Sequence, residues 1–278
     1  MQQQGCHNSF SGSDSWVILS PIEQSIKKKI EAAGTPLSEW DIQINYGIKT
    51  GCNEAFIVST EKRNEILSNC QSDEERRRTE DLIRPILRGR DIKRYRYDWA
   101  GLWLIATFPS RNYNIEDYPA VRNYLFSFGK ERLEQTGKAY FINGEKVKAR
   151  KKTNNKWFET QDNISYWEDF YKPKIFYADI TQKLNFCLCK EVMFCNNTTY
   201  FITAKDEQVL DHLYTYLNLP IYDWYYRTLS VQLGEKAVRM FSIYVLNIPI
   251  PPLGTKPDIE KVFHLTKSEM DYLESKGK

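Results

Sequence analysis

Histidine is scarce, with His7, His212 and His264 the only three in 278 residues. None stands near another candidate ligand, so no zinc or other transition-metal centre is legible in the spacing. The 13 glycines are scattered and form neither G-x-G-x-x-G nor a P-loop, which removes the usual backbone turns for a nucleotide-type cofactor. No apolar signal segment opens the chain and no run approaches the roughly 18 apolar residues of a membrane span. The expectation is a cytoplasmic protein with no membrane partner, whose six irregularly spaced cysteines are reduced thiols. Cys187 and Cys189, interleaved with Phe186 and Leu188, read as strand residues buried like small hydrophobes, with Cys195 nearby. An excess of one charge is missing too: 39 basic against 36 acidic residues leave a net +3, too small to name a partner, so the distribution of charge must decide.

What is present is an ordinary globular balance with many aromatics, 14% of the chain. Residues 1–15 are polar and read as a flexible tail, and 16–35 as a linker helix. Ser20 and Glu23 form a capping box there, Pro21 takes the first helical position, Ile22, Ile26 and Ile30 share a face, and Gly34 ends the run. Residues 36–255 then form the main domain, divisible into two lobes near 130–160, and 256–278 a C-terminal helix and tail. Within the main domain the patterns predict strands at Trp40–Ile44, Phe56–Val58 and Trp103–Ala106, and a charged helix over Thr60–Arg78. Pro85 is expected to end or kink a helix carrying Leu82 and Ile83. Asn143-Gly144, between Tyr140-Phe141-Ile142 and Lys146-Val147-Lys148, is a hairpin signal. Strands follow at 174–177, 186–189 and 200–203, helices at 206–218 and 221–229, an extended Pro-containing segment at 244–252, and a last helix capped by Thr266 and Glu269. Strands and helices mix without strict alternation, which predicts an α+β fold with mixed or antiparallel sheets and packed helices.

Positive charge gathers in two stretches. Arg84, Arg88, Arg90, Lys93, Arg94 and Arg96 are opposed only by Asp91; Lys138, Lys146, Lys148, Arg150, Lys151, Lys152 and Lys156 are opposed only by Glu145. Most charge runs are solvated faces. The second, however, lies on the predicted hairpin and its exit, followed at once by Trp157-Phe158-Glu159. A protruding basic ribbon suits a DNA groove, its lysines neutralising phosphates while a few side chains reach base edges. A rival from another class is a Mg²⁺-dependent nuclease: Pro257-Asp258 with Glu274-Ser275-Lys276 fits a PD…(D/E)xK pattern, although the second half falls in the last turn of the chain.

Five segments, in order, resemble the TaqI-type C-terminal specificity domain of Type II and Type IIG restriction-modification N6-adenine DNA methyltransferases. They are Trp40-Asp41 through Tyr46-Gly47-Ile48-Lys49-Thr50-Gly51-Cys52-Asn53-Glu54-Ala55-Phe56; Leu82 through Ile92; Arg150-Lys151-Lys152 through Trp157-Phe158-Glu159-Thr160-Gln161-Asp162; Lys172 through Ile180; and Phe241 through Pro251. The Ser15-Trp16-Val17-Ile18 opening resembles the junction into such a module. The resemblance implies a specificity-domain-like fold in a bacterial protein that recognises double-stranded DNA and works with a methyltransferase domain or subunit. It implies no catalytic, cofactor or metal residue here. The Asn/Asp-Pro-Pro-Tyr/Phe tetrapeptide of adenine methyltransferases has no match, since the one Pro251-Pro252 pair lies between Ile250 and Leu253. S-adenosylmethionine, and Mg²⁺ for cleavage, are implied only for the parent enzyme. The expectation is a recognition module without its catalytic domain, whether excised, left by a broken gene or free-standing. A specificity subunit that meets DNA only within a holoenzyme is the third possibility. The DNA-contact candidates are Lys49, Asn53, Arg88, Arg90, Lys146, Lys148, Arg150, Lys151, Lys152, Asn155, Lys156 and Gln161. Among them Arg150 suits guanine and Asn155 and Gln161 suit adenine, whereas Gly89 and Asp179 suit turns and Trp40 and Trp103 the core.

Overall fold

A computed structural model describes residues 19–276 apart from Asn143, Val231, Gly234 and Glu235. The predicted tail, the 15–18 junction and the first turn position of the hairpin lie outside the described residues. The fold is α+β, with mixed and antiparallel sheets.

Its organising element is an antiparallel sheet in the order Phe186–Cys189, Lys174–Ala178, Thr199–Ala204, Ile42–Tyr46. Successive side chains of a strand point to opposite faces, and here each face carries its own hydrophobic core. Phe176, Cys187, Cys189 and Phe201 join one core, while Ile175, Tyr177, Phe186 and Ile202 join the other. That explains why Lys174–Ala178 is buried along its whole length. The two cores meet at this sheet, and the chain crosses between them several times, so the division does not fall at one point in the sequence.

The first core is closed by a second sheet, Phe194–Cys195, Ile83–Leu87, Leu102–Ile105, Ile57–Ser59, with helices Thr60–Ser68, Asp73–Leu82 and Pro119–Phe126 around it. The charged stretch expected as one helix is two, because Ser72 caps a new start by accepting from the Glu75 amide at 3.1 Å. Pro85 does not kink a helix: the helix ends at Leu82, and Pro85 sits inside a strand opposite Trp103. A missing N–H is tolerated there because the strand's other neighbour begins only at Ile86.

The second core is helical, built from Pro21–Ala33, Glu207–Leu217, Pro220–Arg227 and Lys267–Lys276. The Ser20–Glu23 capping box is present, and Ile26 and Ile30 are fully buried. Glu269 ties the last helix to the first through Lys29 at 2.6 Å and Ser25 at 2.7 Å. The expected extended stretch at 244–252 is partly helical: Ser242–Val245 makes one turn before Pro249–Ile250 pairs with Thr35–Pro36.

Candidate nucleic-acid interface

Gly47 leaves the central sheet across the backbone of Asn196, so close that a Cβ at position 47 would lie 1.9 Å from the Asn196 carbonyl oxygen. Backbone bonds lock the crossing: the Gly47 amide donates to Thr199 O at 2.7 Å and the Ile48 amide to Cys195 O at 2.8 Å. Ile48 and Thr50 are buried, which turns Lys49 between them outward, where its ammonium lies 5.4 Å from the centroid of the exposed Tyr46 ring. On the other flank of the Asn196–Thr198 turn, a Cβ on Gly89 would meet Thr198 O at 2.5 Å. Gly89 therefore serves close packing, and exposed Arg90 follows it.

The 149–162 segment docks on the same loop. The Lys49 carbonyl accepts from the amides of Gln161 at 3.0 Å and Asp162 at 3.4 Å. Gly51, at φ +76°, lies under the Gln161 side chain, whose Oε1 would be 3.0 Å from an added Cβ. Lys49 and Gln161, 112 positions apart, thus share one surface. Burial raises the Asp162 carboxyl pKa, the charges of Lys49 and Lys151 pull it back, and one carboxylate oxygen has no hydrogen-bond partner. Nothing in the sequence singled out Asp162.

Three candidates prove structural. Arg150, expected to face guanine, is 4% exposed. Its guanidinium donates to the carbonyls of Leu133 at 2.7 Å, Thr50 at 2.7 Å, Glu159 at 2.8 Å and Trp157 at 2.7 Å. Burial lowers its pKa to about 10, so it stays charged at neutral pH. With four of its five N–H donors on converging carbonyls and its side chain buried, it presents no paired donor edge to a base, and it rivets the segment in place. Arg88 forks onto Asp91 at 2.8 and 3.0 Å. Asn155 spends its amide on Gln161 O at 2.9 Å and Thr160 O at 3.2 Å, shaping the loop that presents Gln161. Trp157 stacks on Phe126 at 4.6 Å, a packing anchor at the hairpin exit.

The remaining candidates are open. Lys151, Lys152 and Lys156 are exposed, Lys156 lying 3.9 Å from the Glu159 carboxylate, and Asn53 is exposed with its carboxamide oxygen accepting from Thr50 Oγ1 at 2.7 Å. Lys146 and Lys148 are exposed on the hairpin Ala139–Ile142 and Glu145–Lys148. The basic stretch at 84–96 is largely spent internally: Arg84 pairs with Asp81, Arg96 with Asp98, and Arg94 donates to Asn218 O.

The nuclease pattern is not assembled. Asp258 caps the turn Ile259–Val262, accepting from the Lys261 amide at 3.2 Å and pairing with its ammonium at 3.0 Å. Glu274 and Lys276 are exposed on the last helix, and no group of three or more potential metal ligands occurs among the described residues. Cys187, Cys189 and Cys195 are buried free thiols. Among the described residues no helix is long and apolar enough to cross a membrane.

Residues 84–250 match the profile of the TaqI-like C-terminal specificity domain. The chain is 21% identical over 250 residues to the Type II methyltransferase M.PaeR7I of Pseudomonas aeruginosa, a match covering 89% of this chain and 39% of that protein. Among solved structures it is similar to the type IIG restriction endonuclease BpuSI, with a TM-score of 0.54 and 12% identity over 92% of this chain and 32% of that one. A weaker likeness, TM-score 0.48 and 14% identity, covers 77% of this chain and 25% of the type IIL restriction-modification enzyme MmeI, solved in complex with DNA. The chain therefore spans about two fifths of the curated relative and a third or less of the solved ones.

Proposed function

Since this chain belongs to the family of TaqI-like C-terminal specificity domains, we propose that it is the double-stranded DNA recognition module of a restriction-modification adenine methyltransferase. It works beside a methyltransferase domain or subunit that holds S-adenosylmethionine and performs the chemistry. The observation that carries the proposal is the surface that Lys49 and Gln161 share, joined through the Lys49 carbonyl and braced by Arg150 on the Thr50 carbonyl, with exposed Lys151 and Lys152 next to Arg150 in the chain.

The division of labour follows from the chemistry of each group. A methyltransferase must flip its target adenine, so another surface has to hold the duplex in register and choose the sequence. Lys49, Lys146, Lys148, Lys151, Lys152, Lys156 and Arg90 are exposed cations, suited to phosphates that look alike in every sequence. Gln161 offers an acceptor and a donor on one rigid amide, which matches the N6/N7 edge of adenine. Asn53 lies on the same loop as Lys49 and supplies a second amide for a base or phosphate.

Fluorescence anisotropy with duplex DNA at several salt concentrations tests the proposal. If about five phosphates are neutralised, log affinity falls against log salt with a slope of about −4 to −5. Lys151→Ala and Lys152→Ala each make the slope shallower by about one unit without changing the sequence recovered from a random pool, whereas Gln161→Ala changes that sequence. A flat salt response, or an unchanged selected sequence for Gln161→Ala, refutes it. Calorimetry of the chain with S-adenosylmethionine gives no binding isotherm; micromolar binding would overturn the division of labour.

A further inference from the structure

The basic hairpin has one face the fold does not use. Its register sets Tyr140 opposite Val147 and Phe141 opposite Lys146. Alternation then places Tyr140, Ile142 and Val147 on one face, where they are half-buried, and Ala139, Phe141, Lys146 and Lys148 on the other, all exposed. The first face and the base hold the ribbon: Tyr140 Oη lies 3.2 Å from Thr136 Oγ1, the Ala149 amide donates to Lys138 O at 2.9 Å, and the Gly137 amide to Arg150 O at 2.9 Å. Among the described residues its two strands pair only with each other. Phe141, at 76%, is the most exposed large apolar side chain among the described residues.

We propose that Phe141 is a base-stacking wedge that enters bound DNA at an unstacked step. The inference rests on the DNA-recognition proposal above and adds to it a contact made by a ring, not by a hydrogen bond. The chemistry of the face selects the occupant. Lys146 stands directly across from the ring and Lys148 on the same side, so an apolar protein groove that covered Phe141 would also have to desolvate two ammonium groups. Nucleic acid supplies both partners at once, phosphates for the lysines and base faces for the ring. Apolar side chains inserted between base steps unstack and bend the duplex, and every base has a π-face, so the contact tolerates sequence while favouring steps that open easily.

The test uses the full chain and two short probes: a duplex, and the same duplex with one unpaired base bulged at its centre. In the bulged probe the unstacking is already done, so the wild type binds it about tenfold more tightly than the paired probe. Phe141→Ala brings the ratio to about one with an unchanged melting temperature, and Phe141→Trp keeps the preference. Lys146→Ala weakens both probes alike and leaves the ratio intact. Equal affinity of the wild type for the two probes, or a preference that survives Phe141→Ala, overturns the wedge while leaving DNA recognition standing. Failure to bind either probe at low salt removes DNA recognition itself, and the wedge with it.

Discussion

Replacing Arg150 with alanine separates a structural rivet from a base reader. The guanidinium serves four carbonyls at 2.7–2.8 Å and lies over the Phe56 ring, its Cζ 4.9 Å from the centroid. Hydrogen bonds from a charged donor contribute about 1.5–3 kcal/mol each, and an orphaned buried acceptor costs about 1–3 kcal/mol. A plain sum overstates the loss, because water can enter the polar space left behind and satisfy some of the carbonyls. About 3–5 kcal/mol is the expected destabilisation of Arg150→Ala, which at roughly 3 °C per kcal/mol for a chain of this size lowers the melting temperature by about 10 °C. Arg150→Lys keeps the charge but gathers its three donors on one nitrogen where a planar fork served four separated acceptors, so it recovers less than half of the loss. The assay pairs thermal melts by circular dichroism with selection from a random DNA pool at a temperature where both proteins are folded. The melt falls and the selected sequence stays the same. A melt within about 2 °C of the wild type, together with an altered selected sequence, would refute the assignment and return Arg150 to the bases.

Gly47→Ala places a Cβ 1.9 Å from the Asn196 carbonyl oxygen, backbone against backbone, and should cost about 3 kcal/mol or more, read as a lowered urea midpoint. A midpoint equal to wild type would mean the two loops do not cross there. Burial pushes the Cys187 thiol up to about 12 and the Cys195 thiol well above its ordinary value, so iodoacetamide at pH 8 should modify neither until the chain is unfolded. Labelling of both in the native protein, located by peptide mapping, would contradict the buried sheet face. Burial alone would raise the Glu269 carboxyl, but hydrogen bonds from Lys29, Thr266 and Ser25 outweigh it and hold it at about 2. A depressed carboxylate stabilises the fold fully above its unfolded value near 4.5 and loses that contribution as pH falls toward 2. Glu269→Gln should therefore cost about 2–3 kcal/mol at neutral pH and flatten the acid dependence of stability between about pH 5 and 2. An acid profile identical to wild type would refute it.

The sequence by itself determined the elements whose signals are local. Ser20 and Glu23 form a capping box at the first amides of their helix and Pro21 has no N–H to satisfy, so its start needs nothing from the rest of the chain. The short, largely apolar runs at 174–177 and 186–189 marked strands, because a run of that length is too short for a helix. The pattern did not say that both faces of those strands are covered, which follows from the two cores packed against them.

The candidate site was legible as a set of segments and illegible residue by residue. Arg150-Lys151-Lys152 is a run of three like charges, and nothing local tells which one turns inward. That was decided by carbonyls from Thr50, Leu133, Trp157 and Glu159 converging where only a guanidinium can serve them all. Gln161 joins Lys49 through a backbone bond between distant segments, and a peptide amide carries no mark of its distant partner. Nothing in the sequence ranks Gly47 above the other glycines, yet the crossing over Asn196 leaves it the least room, a Cβ there falling 1.9 Å from a backbone oxygen. Residue chemistry set which groups could meet DNA, and long-range backbone contacts chose among them, because burial is a property of the assembled chain.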